Sequence, residues 1–164
     1  MKKLFLLAAA LTALVAAPAS AENWYELAIT GDAIGYGDAD SIAVHGDTVS
    51  ARVMLGLRQP MGSKANIEFL VSSVRFRCAD SSYLVDEVGG LDSQRKQVTS
   101  LPGSREWKKI GKGSLYASFG DFACGKAGER KVTDPFAATA EFWRPDEELI
   151  EAATIELAGD FLAG

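Results

Sequence analysis

NIEFLVSSVRFRC, residues 66–78, is the longest apolar and β-branched run downstream of the N-terminal leader, and it closes on one of the chain's two cysteines. Isoleucine, valine and phenylalanine at this density, with no proline or glycine, favour a central strand. Ile67, Phe69 and Val71 share one parity; Val74, Phe76 and Cys78 share the other. Side chains alternate across a sheet with a period of two, so keeping one face buried needs an extra residue near Ser72 and Ser73. A β-bulge is expected there.

Working outward, residues 24–29 read as a first strand, followed by a Gly31-Asp32 turn and an extended piece through Ile34 and Tyr36. Asp38 and Ser41 are placed to bond nearby backbone in a turn, with Ile42 and Val44 entering the sheet. His45-Gly46-Asp47 reads as a hairpin loop. Val49, Ala51, Val53, Leu55 and Leu57 alternate strictly with Ser50 and Arg52, the pattern of a half-buried antiparallel strand. After Cys78 a turn leads into a strand at 83–88, which Gly89-Gly90 is expected to break, and a weaker strand spans 94–101. About six strands joined by short turns, without a crossover helix, predict an antiparallel meander.

The period then changes. Leu115, Phe119 and Phe122 recur at helical spacing, with Ser114 placed to cap the start and Gly125 just past the end. An amphipathic helix over 114–124 needs a sheet to lie on. Residues 129–142 show little periodicity. From Arg144 a second, acidic helix is predicted, with Pro145 in its first turn, Asp146, Glu147 and Glu148 complementing the dipole, and a stripe on Leu149, Ile150, Ala153, Leu157 and Phe161. The organisation expected is a leader at 1–21, an α+β domain at 22–126 and an acidic C-terminal extension with a helix at 127–164. The fold class is a single antiparallel sheet with a helix packed on one face.

The first 21 residues carry Lys2 and Lys3, an apolar core over 4–17 and a small-residue cleavage site, Ala19-Ser20-Ala21. They read as a signal peptide, with the mature chain starting at Glu22. The apolar core is shorter than the roughly 20 residues needed to span a bilayer, so no transmembrane anchor is expected in the mature form. Glu22 stands where a lipid-accepting cysteine would. The expected location is the periplasm or the cell exterior, where disulfides persist. Cys78 and Cys124 are expected to be joined, with free thiols as the alternative.

Removing Lys2 and Lys3 with the leader takes the formal charge from −5 to −7. Residues 22–90 carry 10 acids against 5 bases, residues 91–126 carry 3 against 7, and residues 127–164 carry 9 against 3. A basic middle therefore sits between acidic arms. Its densest stretch is REWKKIGK, with Arg105, Lys108, Lys109 and Lys112 around Trp107. That grouping suits an anionic polymer, a headgroup or an acidic protein face, the alternative being a solvated loop with Trp107 tucked into the core. Nucleic acid is disfavoured by the acidic balance of the whole.

Catalytic and metal patterns fit poorly. His45 is the only histidine and falls at a hairpin tip, so a nucleophile–histidine arrangement has no other base to use. No zinc spacing links it to the cysteines. Asp38, Asp40 and Asp47 suggest a calcium loop, but Ile42 stands at a ligand position. Residues 120–126 spell G-x-x-x-x-G-K, yet Ala127 replaces the magnesium-binding hydroxyl, and the segment leaves a helix instead of entering one. No cofactor is expected.

Trp24, Tyr36, Asp38, Ser41-Ile42, the alternating strand around Arg52 and Val53, Cys78, Trp107 and a Gly-Ser helix start leading to Cys124 occur in an order that resembles the surface-adhesin protein E family of small exported bacterial proteins. The match runs over residues 24–125. The resemblance implies a curved antiparallel sheet with a helix on its concave side, and the binding of extracellular or envelope proteins. The acidic segment beyond Gly125 is an addition to that pattern. The function expected is thus a non-enzymatic, exported binding module of the cell envelope; a small periplasmic hydrolase or inhibitor-like factor is the alternative.

Overall fold

The computed structural model describes residues 22–62, 66–126, 128 and 130–143. The leader and the acidic helix expected from Arg144 onward lie outside the described residues. The sheet has eight strands: β1 (Trp24–Ile29), β2 (Ala33–His45), β3 (Thr48–Met61), β4 (Ile67–Arg77), β5 (Ser82–Leu91), β6 (Gln97–Pro102), β7 (Lys108–Lys109) and β8 (Arg130–Val132). Their order is β6-β5-β4-β3-β2-β1-β8, with β7 paired to the start of β5. Every pairing is antiparallel. Among the described residues two helices pack on the sheet, α1 (Leu115–Ala123) and α2 (Pro135–Trp143).

The expectation of about six strands with a helix on one face is corrected in two ways. The sheet gains β7 and β8, and both of its faces carry a helix. One core gathers Val53, Val74, Phe76, Phe119 and Phe122 beneath α1. The other gathers Trp24, Ile34, Tyr36, Met54 and Phe69, with Phe136 and Trp143 of α2 packed against it. Residues 130–143 are therefore joined to the sheet, since β8 pairs with β1 and α2 covers the second face.

The two cores explain the parity change in the central run. The register of β4 against β3 is unbroken from Val49↔Phe76 to Gly56↔Phe69, so β4 holds no extra residue and the bulge expected at Ser72 and Ser73 is absent from it. Phe69 points into the α2 core while Val74 and Phe76 point into the α1 core. A strand buried on opposite faces along its two halves shifts parity without a kink. The irregularity at this level belongs to β5: Ser73 pairs with Glu87 and Val74 with Val85, which leaves Asp86 as the extra residue. β5 also runs on through Gly89 and Gly90 to Leu91, held by ladders on both sides, where a break was expected.

Ser114 caps α1, its hydroxyl accepting from the Ala117 N–H, and Gly125 follows the helix at φ 99°. Gly35 and Gly37 of β2 leave room for the Phe119 and Phe122 rings. Cys78 and Cys124 form the expected disulfide and tie the exit of α1 to the end of β4. On the other face, Asp134 caps α2 by accepting from the N–H groups of Phe136 (3.0 Å) and Ala137 (3.2 Å). Burial opposes the Asp134 charge, but the Arg95 guanidinium and those two N–H groups outweigh it and hold the carboxyl below its ordinary range.

Phe136 meets Phe69 edge to face at 4.8 Å, and Thr139 sits directly over Gly56. A Cβ at Gly56 would lie 2.2 Å from the Thr139 hydroxyl oxygen. Gly56→Ala is therefore expected to lift α2 and cost about 1–3 kcal/mol by overpacking. Urea unfolding would measure the loss, and hydrogen exchange should quicken in α2 ahead of α1. Unchanged stability would mean that α2 adjusts at no cost.

Candidate interaction surface

The basic stretch is delivered by an unusual crossing. After β6 the chain passes over the β5 bulge, where the Gly103 N–H donates to the Asp86 carbonyl at 3.0 Å. A Cβ on Gly103 would stand 1.8 Å from the Val85 carbonyl oxygen, so only glycine fits this approach. Ser104 then closes a turn, its hydroxyl accepting from the Glu106 N–H at 3.2 Å, and β7 pairs Lys108 with Tyr83 and Lys109 with Ser82.

This path lays Trp107 beside β4. The Arg77 guanidinium carbon lies 4.0 Å from the Trp107 ring centroid and that of Arg75 lies 6.0 Å away. Trp107 is half-buried at the surface and belongs to neither core, in contrast to the alternative in which it tucks inside. The two arginines differ in how far their charge is met. Arg75 grips Asp86 in a two-pronged pair, at 2.8 Å through Nε and 2.6 Å through Nη2, and that bond raises its pKa. Arg77 pairs with Asp47 at 3.7 Å, its charge also helps to lower the Asp80 carboxyl, and its Nε has no hydrogen-bond partner among the described residues.

The other basic residues spread from this point. Arg105 lines a concavity of about 350 Å³ with Arg75, Asp86 and Leu84. Lys109 donates to the Asp80 carbonyl at 2.7 Å and lies 3.6 Å from the Asp80 carboxylate, which the Ser82 hydroxyl holds below its ordinary pKa. Lys108 borders an apolar groove formed by Leu70, Val88 and Leu101. Lys112 lines a separate cleft beside α1. Trp107 and Arg105 thus share a surface with Arg75 and Arg77, while Lys108 and Lys112 serve other parts of the molecule.

The i, i+2 spacing of Arg75 and Arg77 puts both on one face of β4 and is a signal present in the sequence, whereas the pairing of β7 that brings Trp107 to them leaves no mark there. His45 is exposed at the β2–β3 hairpin. Among the described residues no group of three or more His, Cys, Asp or Glu is arranged to hold a metal ion. Asp38 is buried and bonded to Arg52, and the G-x-x-x-x-G-K segment runs along the end of α1 and its exit. Among the described residues no helix is long and apolar enough to cross a membrane.

No family model matches the chain, and no curated protein matches it. Solved structures similar to it include three of Haemophilus influenzae protein E. Crystal form II has a TM-score of 0.46 at 12% identity, covering 60% of this chain and 91% of that one. A selenomethionine form has a TM-score of 0.40 at 13% identity, covering 61% and 91%. Protein E from a non-typeable strain has a TM-score of 0.37 at 16% identity, covering 80% and 96%.

Proposed function

We propose that this protein is an exported, non-enzymatic binding module, and that its interaction surface is the cationic and aromatic face around Trp107. The observation that carries the proposal is the Arg77–Trp107 stack at 4.0 Å, in which an arginine that hydrogen-bonds no carboxylate among the described residues lies on a half-buried indole. Tryptophan and arginine are the residue types that dominate binding energy at protein interfaces, because each offers a large, rigid contact with a polar edge. An arginine that lacks a strong internal partner has its charge available for an outside one. The partner class is the acidic face of an envelope or extracellular protein. The exposed disulfide is consistent with export.

Binding to an immobilised poly-glutamate peptide is the direct test. Trp107→Ala and Arg77→Gln should each weaken it about tenfold or more, as hot-spot truncations do. Raising salt should weaken the unmodified protein's binding as well. Retention of full binding by both variants would remove this surface from the proposal. Binding to a sulfated polysaccharide in place of the peptide would move the partner to another class.

A further inference from the structure

A second concavity lies between α1, the end of β4 and the segment that follows β7, and encloses about 400 Å³. Its floor is apolar, made by Phe76, Ile110, Ala117 and Gly120. Three cations from three different parts of the chain line it: Arg77 from the end of β4, Lys112 from the loop before α1, and Lys126 from the exit of α1. One carboxylate, Asp121, faces them and is taken up by Lys126 at 2.8 Å. Lys112 forms no ion pair among the described residues, while Arg77 Nε pairs with Asp47 at 3.7 Å without a hydrogen bond. The cleft is thus apolar below and carries an excess of positive charge at its wall.

We infer that this cleft binds a small amphiphilic anion, a carboxylate, sulfate or phosphate group on an aromatic or short alkyl body. The size falls in the range of pockets that take small ligands, and an apolar lining with a few convergent polar groups is their usual make-up. The body lies on Phe76 and Ile110, and the head meets Lys112 by a charge-assisted hydrogen bond. Asp121 sets the affinity, because it holds Lys126 away from the ligand and repels the head. The disulfide joins the two walls directly: Cys78 follows Arg77, and Cys124 ends the helix whose exit carries Lys126. Arg77 borders this cleft, but its guanidinium lies on the Trp107 indole, so this site draws on Lys112 and the Trp107 surface on Arg77, and its ligand is a small molecule and not a protein face.

Calorimetric titration of the full mature chain with phenyl phosphate, inorganic phosphate and benzyl alcohol separates head from body. Phenyl phosphate should bind at least about tenfold more tightly than either of the others, since only it engages both the cations and the floor. Lys112→Gln should weaken it about tenfold, and Asp121→Asn should strengthen it several-fold by freeing Lys126. Ala117→Leu, which fills the floor, should abolish phenyl phosphate binding while poly-glutamate binding stays unchanged, so the two sites fail separately. Equal affinity for phenyl phosphate and inorganic phosphate, or no strengthening in the surface variant Asp121→Asn, would overturn the inference. Binding seen only with phosphatidylglycerol vesicles, and not with phenyl phosphate, would overturn it too.

Discussion

Arg52→Met is expected to be among the most destabilising single changes in the molecule, at about 3–5 kcal/mol, the cost of removing one partner from a buried ion pair. Asp38 is 1% exposed at the register position opposite Arg52 in the β2–β3 ladder. Its carboxylate accepts from Arg52 Nε at 3.2 Å and Nη2 at 2.6 Å, and from the N–H groups of Asn23 at 3.3 Å and Asp40 at 3.1 Å. Burial opposes the Arg52 charge, but the Asp38 hydrogen bond, followed by the charges of Glu22 and Asp38, holds its pKa above the ordinary value. Arg52 also reaches Glu22 at 2.6 Å, and Glu22 in turn accepts from the Trp24 indole N–H at 2.8 Å. Methionine keeps an unbranched apolar stem but removes the guanidinium that lies over Trp24, and it leaves the Asp38 charge with two backbone donors and no cation. The reverse change, Asp38→Asn, should cost less, because the Arg52 side chain is 40% exposed and keeps Glu22. Urea midpoints of the two variants give the comparison. Equal losses, or a loss under about 1 kcal/mol for Arg52→Met, would show that the pair is solvated enough to be replaceable.

That pair also shows where the sequence was informative. Asp38 and Ser41 were read as local backbone-bonding residues, and Asp38 does accept from Asp40 while the Ser41 hydroxyl donates to the Asp38 carbonyl at 2.6 Å. The long-range partner, Arg52, was read only as the polar alternate of a half-buried strand. With both sheet faces covered, its neighbour Met54 is as fully buried as Val53, and the alternation rule for one-faced sheets loses its meaning. The same cause produced the misplaced bulge, since a strand buried on opposite faces writes the same parity change as a bulged one. The bounds of β1, the hairpin loop at His45-Gly46-Asp47, of which His45 closes β2, and α1 with its caps are legible because each rests on local chemistry.

α2 was missed for a related reason. Its inward face is Phe136, Thr139 and Trp143, with alanines between, so the helical period is carried by two aromatics and one polar residue. Thr139 occupies the central place because it stands over Gly56, where a larger apolar side chain would not fit. The Asp134-Pro135 pair, a capping acid followed by proline at the first helical position, was the signal that could have found it. β7 and β8, at two and three residues, are too short to carry a period at all.

The second large effect should follow loss of the Cys78–Cys124 bond. The cysteines are 46 residues apart in sequence and both are exposed, so a reductant reaches the bond without unfolding the domain. Closing a loop of this size removes unfolded-chain entropy worth about 4 kcal/mol in the loop-closure model, and loss of such bonds from small exported domains costs about 2–5 kcal/mol. The native state should change little, because α1 is held to the sheet by Phe119 and Phe122 in the core, while Cys124 sits at the exposed end of the helix. The expected result is a reduced protein that keeps its circular dichroism in water yet unfolds at lower urea. Its dependence on urea should be steeper, since an unlinked unfolded chain exposes more surface. The Cys78→Ala, Cys124→Ala double variant should reproduce both changes. A lower midpoint with no change in slope would place the effect in the native fold, at the seat of α1; an unchanged midpoint would mean that the bond adds nothing to stability.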